Sequence, residues 1–263
     1  MSSAEKDRID RALEVRPGST PRLYQTVAQK IAAMIQSNGH MADWRIPSER
    51  ELADQLGVSR PVIREAIIAL EMLGLVEVRG RTGIVVLEQP TRPISFDTFN
   101  ADIGPGPFEL LEARLAIEAS AAAMAAERAT TADHAILEAC IEQMQLEREV
   151  VLLNEKGDRD FHLNIARISG NAIILSMTEA LWVQRDHSVM WKKLHEHIHA
   201  PDVRPLWIGD HHAVLSAIRL RNPDAAYKAM ARHIRNVIDE LLEADEKARL
   251  NGSGSISARS ALS

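Results

Sequence analysis

Pro47-Ser48-Glu49-Arg50-Glu51-Leu52-Ala53-Asp54-Gln55-Leu56-Gly57-Val58-Ser59-Arg60-Pro61-Val62-Ile63-Arg64-Glu65-Ala66 reads as two short helices joined by a tight turn. Ser48 and Glu51 form a Ser-x-x-Glu capping box, which satisfies orphan amides at a helix start. Leu52, Ala53 and Leu56 make an apolar face, and Gly57 ends the helix. Ser59 is a second N-cap. Ile63, Ala66, Ile67, Leu70 and Leu73 then recur at helical spacing until Gly74. Upstream, Tyr24, Val27, Ile31 and Ile35 mark a further amphipathic helix. Downstream, residues 75–78 and 84–87 are apolar strand-like runs. Arg79-Gly80-Arg81-Thr82-Gly83 joins them as a β-hairpin with two arginines at its tip. Helix, tight turn, helix and basic hairpin together are the layout of a winged helix-turn-helix.

That layout gives the arginines a task. Arg60 and Arg64, at i and i+4, are expected on one exposed side of the third helix, where they reach base edges or phosphates in a major groove. Arg50 projects from the preceding helix. Arg79 and Arg81 can enter a minor groove or grip the backbone. Singly, each reads as a solvated surface arginine; the capped helices and the basic hairpin together favour double-stranded DNA.

The surrounding chain sets limits. Its 263 residues suggest two domains. Hydrophobic residues are 46% and charged residues 26%, a globular balance that excludes disorder throughout. No uninterrupted apolar run is long enough to span a membrane, and residues 1–16 lack the apolar core of a signal peptide. The single Cys140 excludes a disulfide framework. A cytoplasmic location is expected. Residues 21–88 carry eight Lys/Arg and eight Asp/Glu, and the net charge of −6 falls on residues 89–263. A small DNA-reading module attached to an acidic domain fits that division. The boundaries read as a polar leader 1–20, the winged helix-turn-helix 21–88, a Pro/Gly-rich linker 89–106, an all-α unit 107–248 and a Gly/Ser-rich tail 249–263.

The all-α unit is expected to be a helical bundle. Leu110, Leu111, Leu115, Ile117 and Ala121 give one apolar surface; Ile136, Cys140, Ile141 and Met144 give another. Phe161, Ile165, Ile168 and residues 173–175 follow. Asp158 and His162 lie at i and i+4 and point the same way. His211 precedes Asn222-Pro223 by as many residues as His233 follows it. In an antiparallel hairpin turning at Asn222 the two imidazoles therefore stand at similar heights. One carboxylate and three imidazoles suit a divalent transition metal such as Zn, Ni, Co or Mn. A satisfied or exposed histidine is the plainer reading of each taken alone. His212 competes with His211, and His195/His199 form an alternative pair near an expected helix end. Arg114 either pairs with Glu118 or meets a ligand carboxylate as a bidentate fork. Arg185, between Trp182 and Trp191, is a second candidate anion contact.

The residue 45–53 and 58–66 segments, Gly74-Leu75-Val76 and the hairpin closely resemble the GntR family of bacterial transcription regulators. The resemblance implies that Arg50, Arg60, Arg64 and the wing segment Arg79-Gly80 meet operator DNA. The Asp158, His162, His211, His233 series resembles the metal signature of the FCD effector domain in the FadR-like branch, and strengthens the metal reading. Residues 106–114, 71–79 and the Trp182 to His195 segment further resemble repressors of hexuronate utilisation. That implies a homodimer on a palindromic operator, released by a small sugar acid. Competing readings are a metal-dependent hydrolase, a regulator of another organic acid, and an architectural DNA-binding protein. No general base stands beside the metal residues and a hydrolase would leave the DNA-binding half without a role; an acidic second domain larger than the first argues against the architectural protein.

Overall fold

A computed structural model describes residues 21–38, 45–79, 83–87, 103–147, 155–196 and 200–251. The expected leader, the hairpin tip with Gly80 and Arg81, most of the linker, His199 and all of the tail beyond Asn251 lie outside the described residues.

The N-terminal module comprises α1 (Leu23–Asn38), α2 (Glu49–Leu56), α3 (Arg60–Met72), β1 (Val76–Arg79) and β2 (Gly83–Val86). Ser48 caps α2 as expected: its Oγ accepts from Glu51 N–H, and the Glu51 carboxylate accepts from Ser48 N–H at 2.8 Å. Gly57 closes α2 in the left-handed conformation, φ 66°, its N–H donating to Ala53 O. A side chain there would add strain, which explains the glycine. Ser59 occupies the N-cap position of α3, but its side chain makes no capping bond; Pro61 in the first turn removes one orphan amide instead. β1 and β2 pair antiparallel, Val76 opposite Val86 and Arg79 opposite Gly83. Tyr24, Val27, Ile31, Leu52, Ile63, Ile67 and Leu70 are buried where α1 packs on α3. Each such side chain contributes about 1.5–3 kcal/mol by leaving water.

The C-terminal domain is all-α among its described residues: α4 (Pro107–Arg128), α5 (Thr131–Glu147), α6 (Lys156–Ile168), α7 (Ala172–His187), α8 (Val189–Glu196), α9 (Ala200–Arg219) and α10 (Pro223–Asn251). α4 is the central helix, packed on α10, α6, α7 and α9. Its alanines 119, 121, 122, 125 and 126 are fully buried, and their small side chains let neighbouring helices approach closely. α9 and α10 form the expected antiparallel hairpin, with Asn222 Oδ1 accepting from Ala225 N–H at 3.0 Å. Ile136 and Ile173, read above as core, are 40% and 69% exposed. Both sit on helices whose other face meets the bundle, so helical spacing alone misassigned them.

Candidate metal centre and nucleic-acid interface

Asp158 and His162 stand one turn apart on α6; His211 comes from α9 and His233 from α10. Antiparallel packing of α9 on α10 brings the last two rings to 4.3 Å between centroids, as the equal spacing from Asn222 requires. The four residues offer donor atoms that all lie within 4.8 Å of one another. His211 Nε2 is 3.0 Å from Asp158 Oδ1 and 3.3 Å from His162 Nε2. The three imidazoles are buried, and Asp158 forms the open edge at 20% exposure. His212 is exposed, so His211 is the inward-facing member of that pair.

A second layer of groups fixes the rings. His162 Nδ1 lies 2.7 Å from Glu118 Oε2, and His211 Nδ1 lies 2.6 Å from the Trp207 carbonyl oxygen. A proton on each Nδ1 suits those acceptors and leaves both Nε2 lone pairs pointing into the cluster. Two lone pairs 3.3 Å apart beside a carboxylate repel unless a cation lies among them. His233 Nδ1 is buried without a hydrogen-bond partner among the described residues, and lies 3.7 Å from Asp210. The donor set therefore fits a divalent transition metal.

Charges follow this arrangement. Burial, with His211 beside it, pushes His233 down to about 3, so its imidazole stays neutral and able to ligate. Burial also penalises charge on His162, but the Glu118 carboxylate outweighs it and holds His162 above its ordinary value. Glu118 itself would be raised by burial; the Arg114 guanidinium and His162 bring it down to about 2. Burial similarly opposes charge on Asp158, and the His162 and His211 imidazoles beside it hold it well below the usual carboxylate range.

Arg114 is buried and engages Glu118 through both ends of its fork, Nε to Oε1 at 3.0 Å and Nη2 to Oε2 at 3.2 Å. Of the two readings above, the pairing with Glu118 is the one formed. Trp182 Nε1 donates to the same Glu118 at 3.2 Å, and its ring lies between the guanidinium groups of Arg114 and Arg185, at 4.2 and 4.8 Å. Arg185 pairs with Glu155 at 2.8 Å, while its buried Nε has no partner among the described residues. Beside Asp158 and His211, walled by Met144, Trp207 and Ile208, is a cavity of only about 30 Å³. A second cavity of about 380 Å³, lined by Lys156, Arg159 and Arg185 among others, has the size of a small-molecule site.

In the N-terminal module Arg50 and Arg79 are exposed, Arg79 pairing with Glu77 along the same strand β1 at 2.7 Å. Arg60 is half-buried, and its Nε is buried without a hydrogen-bond partner among the described residues. Arg64 corrects the expectation: it is 2% exposed, not on an open face, and Nη1 donates to Glu49 at 2.6 Å. α3 turns this arginine against the start of α2, a contact between helices that spacing along one helix does not reveal. Glu118, Asp210 and the Trp207 carbonyl are the site groups sequence reasoning missed as supports. Their only sequence signal is local: Glu118 follows Arg114 by four residues.

Residues 23–86 match the family described as bacterial regulatory proteins, gntR family, and residues 109–236 match the FCD domain. The chain is 38% identical over 226 residues to the Uxu operon regulator of Haemophilus influenzae, covering 84% of this chain and 81% of that protein. To the Exu regulon transcriptional regulator of Escherichia coli it is 39% identical over 216 residues, 82% of this chain and 83% of that one. The Uxu operon transcriptional regulator of Escherichia coli is 37% identical over 229 residues, 86% of this chain and 89% of its own length. The first match falls on the helix-turn-helix module and its hairpin, the second on the helical bundle that holds Asp158, His162, His211 and His233, and the chain belongs to the gntR family of bacterial transcription regulators in the branch with an FCD domain.

Proposed function

We propose that the protein is a repressor of sugar-acid catabolism, binding a palindromic operator as a homodimer and released by a small hexuronate. The observation that carries this reading is the convergence of Asp158, His162, His211 and His233 beside two tryptophan-stacked arginines, within one chain that also has a DNA-reading module. The names of the Uxu and Exu regulators support the sugar-acid class over other organic acids. Zinc leads nickel, cobalt and manganese as the ion, because three imidazole nitrogens and one carboxylate oxygen are donors that zinc takes at a compact site.

When bound, the metal supplies a Lewis-acid centre for a carboxylate and an adjacent hydroxyl. The chain does the rest. Glu118 and the Trp207 carbonyl hold two imidazoles with Nε2 inward. Burial keeps His233 neutral. The larger cavity is lined by Lys156, Arg159 and Arg185 together with Glu155, Asp160 and Asp186, so an anion reaches Arg185 by taking the place of a paired carboxylate. Arg114 keeps Glu118 ionised and so acts on the site through it. On DNA, Arg50, Arg60, Arg79 and the wing residues Gly80 and Arg81 contact the operator, with Arg64 setting how α2 and α3 meet. Two-fold symmetry of the dimer then demands two half-sites. No described helix is long and apolar enough to cross a membrane, in keeping with action on DNA in the cytoplasm.

The test is His211→Ala in the full chain. It should lose bound metal and the response to D-glucuronate, D-galacturonate or D-fructuronate, yet keep operator affinity. Normal release of DNA by the acid from that variant would show the metal reading to be wrong.

A further inference from the structure

α4 starts at Gly106, whose side chain cannot reach the free amides of the first turn. Those amides belong to Phe108 and Glu109. Both donate to one oxygen, Glu65 Oε1, at 2.8 and 3.1 Å. Glu65 lies on α3 of the other domain and is 4% exposed. It occupies the place an N-cap side chain normally fills.

Gly106 explains how the carboxylate gets there. Its φ is −66°, which any residue adopts, so backbone freedom is not the reason for glycine. A Cβ at that position would overlap the Glu65 carboxylate. The chain forgoes a local cap and leaves room for one from the neighbouring domain. Three contacts flank the joint: Tyr24 OH donates to Gly104 O at 3.0 Å, Arg22 pairs with Glu109 at 2.7 Å, and Lys193 lies 3.7 Å from Glu71 on α3. The same α4 carries Arg114 about two turns further on and Glu118 one turn after that.

We propose that Glu65 is an N-cap supplied across the domain boundary, and that through it the recognition helix α3 follows the movement of α4. A continuous hydrogen-bonded helix transmits displacement along its axis. Movement of α4 at Arg114 and Glu118 therefore either carries α3 with it or breaks both hydrogen bonds. The cap stands on its own geometry; its use in release by ligand rests on the effector site proposed above.

Three variants separate the parts in the full, zinc-loaded chain. E65A removes the acceptor. E65Q keeps an oxygen for both amides. E65A/G106S restores a cap from within α4, into the space the carboxylate vacates. Hydrogen exchange of the Phe108 and Glu109 amides should quicken by about tenfold or more in E65A, the loss of hydrogen bonds worth about 1 kcal/mol each, and return towards wild type in E65Q and E65A/G106S. Operator affinity with and without D-fructuronate, D-glucuronate or D-galacturonate is measured on the same proteins. Wild type and E65Q should respond to the acid. E65A/G106S, though its α4 is capped again, should respond several-fold less while the acid still raises its melting temperature. Unchanged exchange in E65A overturns the cap. A full response in E65A/G106S overturns the joint. If no acid alters wild-type operator binding, the effector assignment and the joint's part in release fall together, and the exchange rates still decide the cap.

Discussion

Arg64 meets a carboxylate where water barely reaches. Glu49 is 7% exposed and accepts from Arg64 at 2.6 Å. Breaking such a pair by removing one member leaves a buried charge and typically costs about 3–5 kcal/mol. Arg64→Ala should therefore lower the stability of the N-terminal module by that order as well as weaken operator binding, both readable from denaturant unfolding and gel-shift titration. Arg64→Met/Glu49→Leu should regain most of the stability without regaining operator binding; recovery of neither would mean that the pair does not hold α2 to α3. Glu118 makes a parallel case in the other domain. Glu118→Gln keeps the size of the side chain but removes the charge that faces His162 and Arg114. Metal affinity should fall about 10–100-fold, the usual cost of losing an outer support of a ligating histidine, and competition against a chelator would measure it. At this scale the sequence is half legible. Asp158 and His162 share a face because of their spacing, whereas the partners Glu49 and Glu118 meet Arg64 and His162 only after helices have packed.

Some helix starts are readable because the cap is local. Ser48 and Asn222 each accept from the amide three residues on, so a short window of sequence contains the whole device. α4 was not readable in the same way, because its cap lies more than forty residues upstream on α3. Desolvation dominates at Glu65 and, with Glu109 and Glu112 adding repulsion against two backbone hydrogen bonds, raises its carboxyl to about 7. The folded value lies above the unfolded one near 4.5. Protonation of Glu65 therefore favours the folded state fully below about pH 4.5, and that contribution fades as pH rises through 7. A shift of this size corresponds to about 2–4 kcal/mol. E65Q lacks the titration and keeps the acceptor. Its melting temperature relative to wild type should climb between pH 5 and pH 8, while other groups cancel in the difference. A flat difference across that range would mean that Glu65 is not buried against α4 in solution.

Across the molecule, the two functions are separated by domain and must communicate mechanically. The arginines proposed to contact the operator lie on α2, α3 and the wing; the proposed metal ligands lie on α6, α9 and α10. α4 touches both sets, through Glu65 at its start and Glu118 three turns later. Equal spacing from Asn222 puts His211 and His233 level, as the structure has them, but nothing local says which helix joins the domains. Bound metal stabilises only the folded chain, so chelation should lower the melting temperature, and zinc at about a thousand times its dissociation constant should restore about 4 kcal/mol. Release by a sugar acid also has a thermodynamic consequence. If the acid weakens operator binding by some factor, operator DNA must weaken acid binding by the same factor. Couplings of this kind amount to about 1–3 kcal/mol, or 5–150-fold. Calorimetric titration of D-fructuronate into free protein and into the operator complex should give a ratio of dissociation constants equal to the ratio of operator affinities without and with the acid. The same pair of titrations on E65A/G106S should bring both ratios towards one together. A variant that lost one ratio and kept the other would break the thermodynamic cycle and show that acid and operator were not acting on one two-state protein.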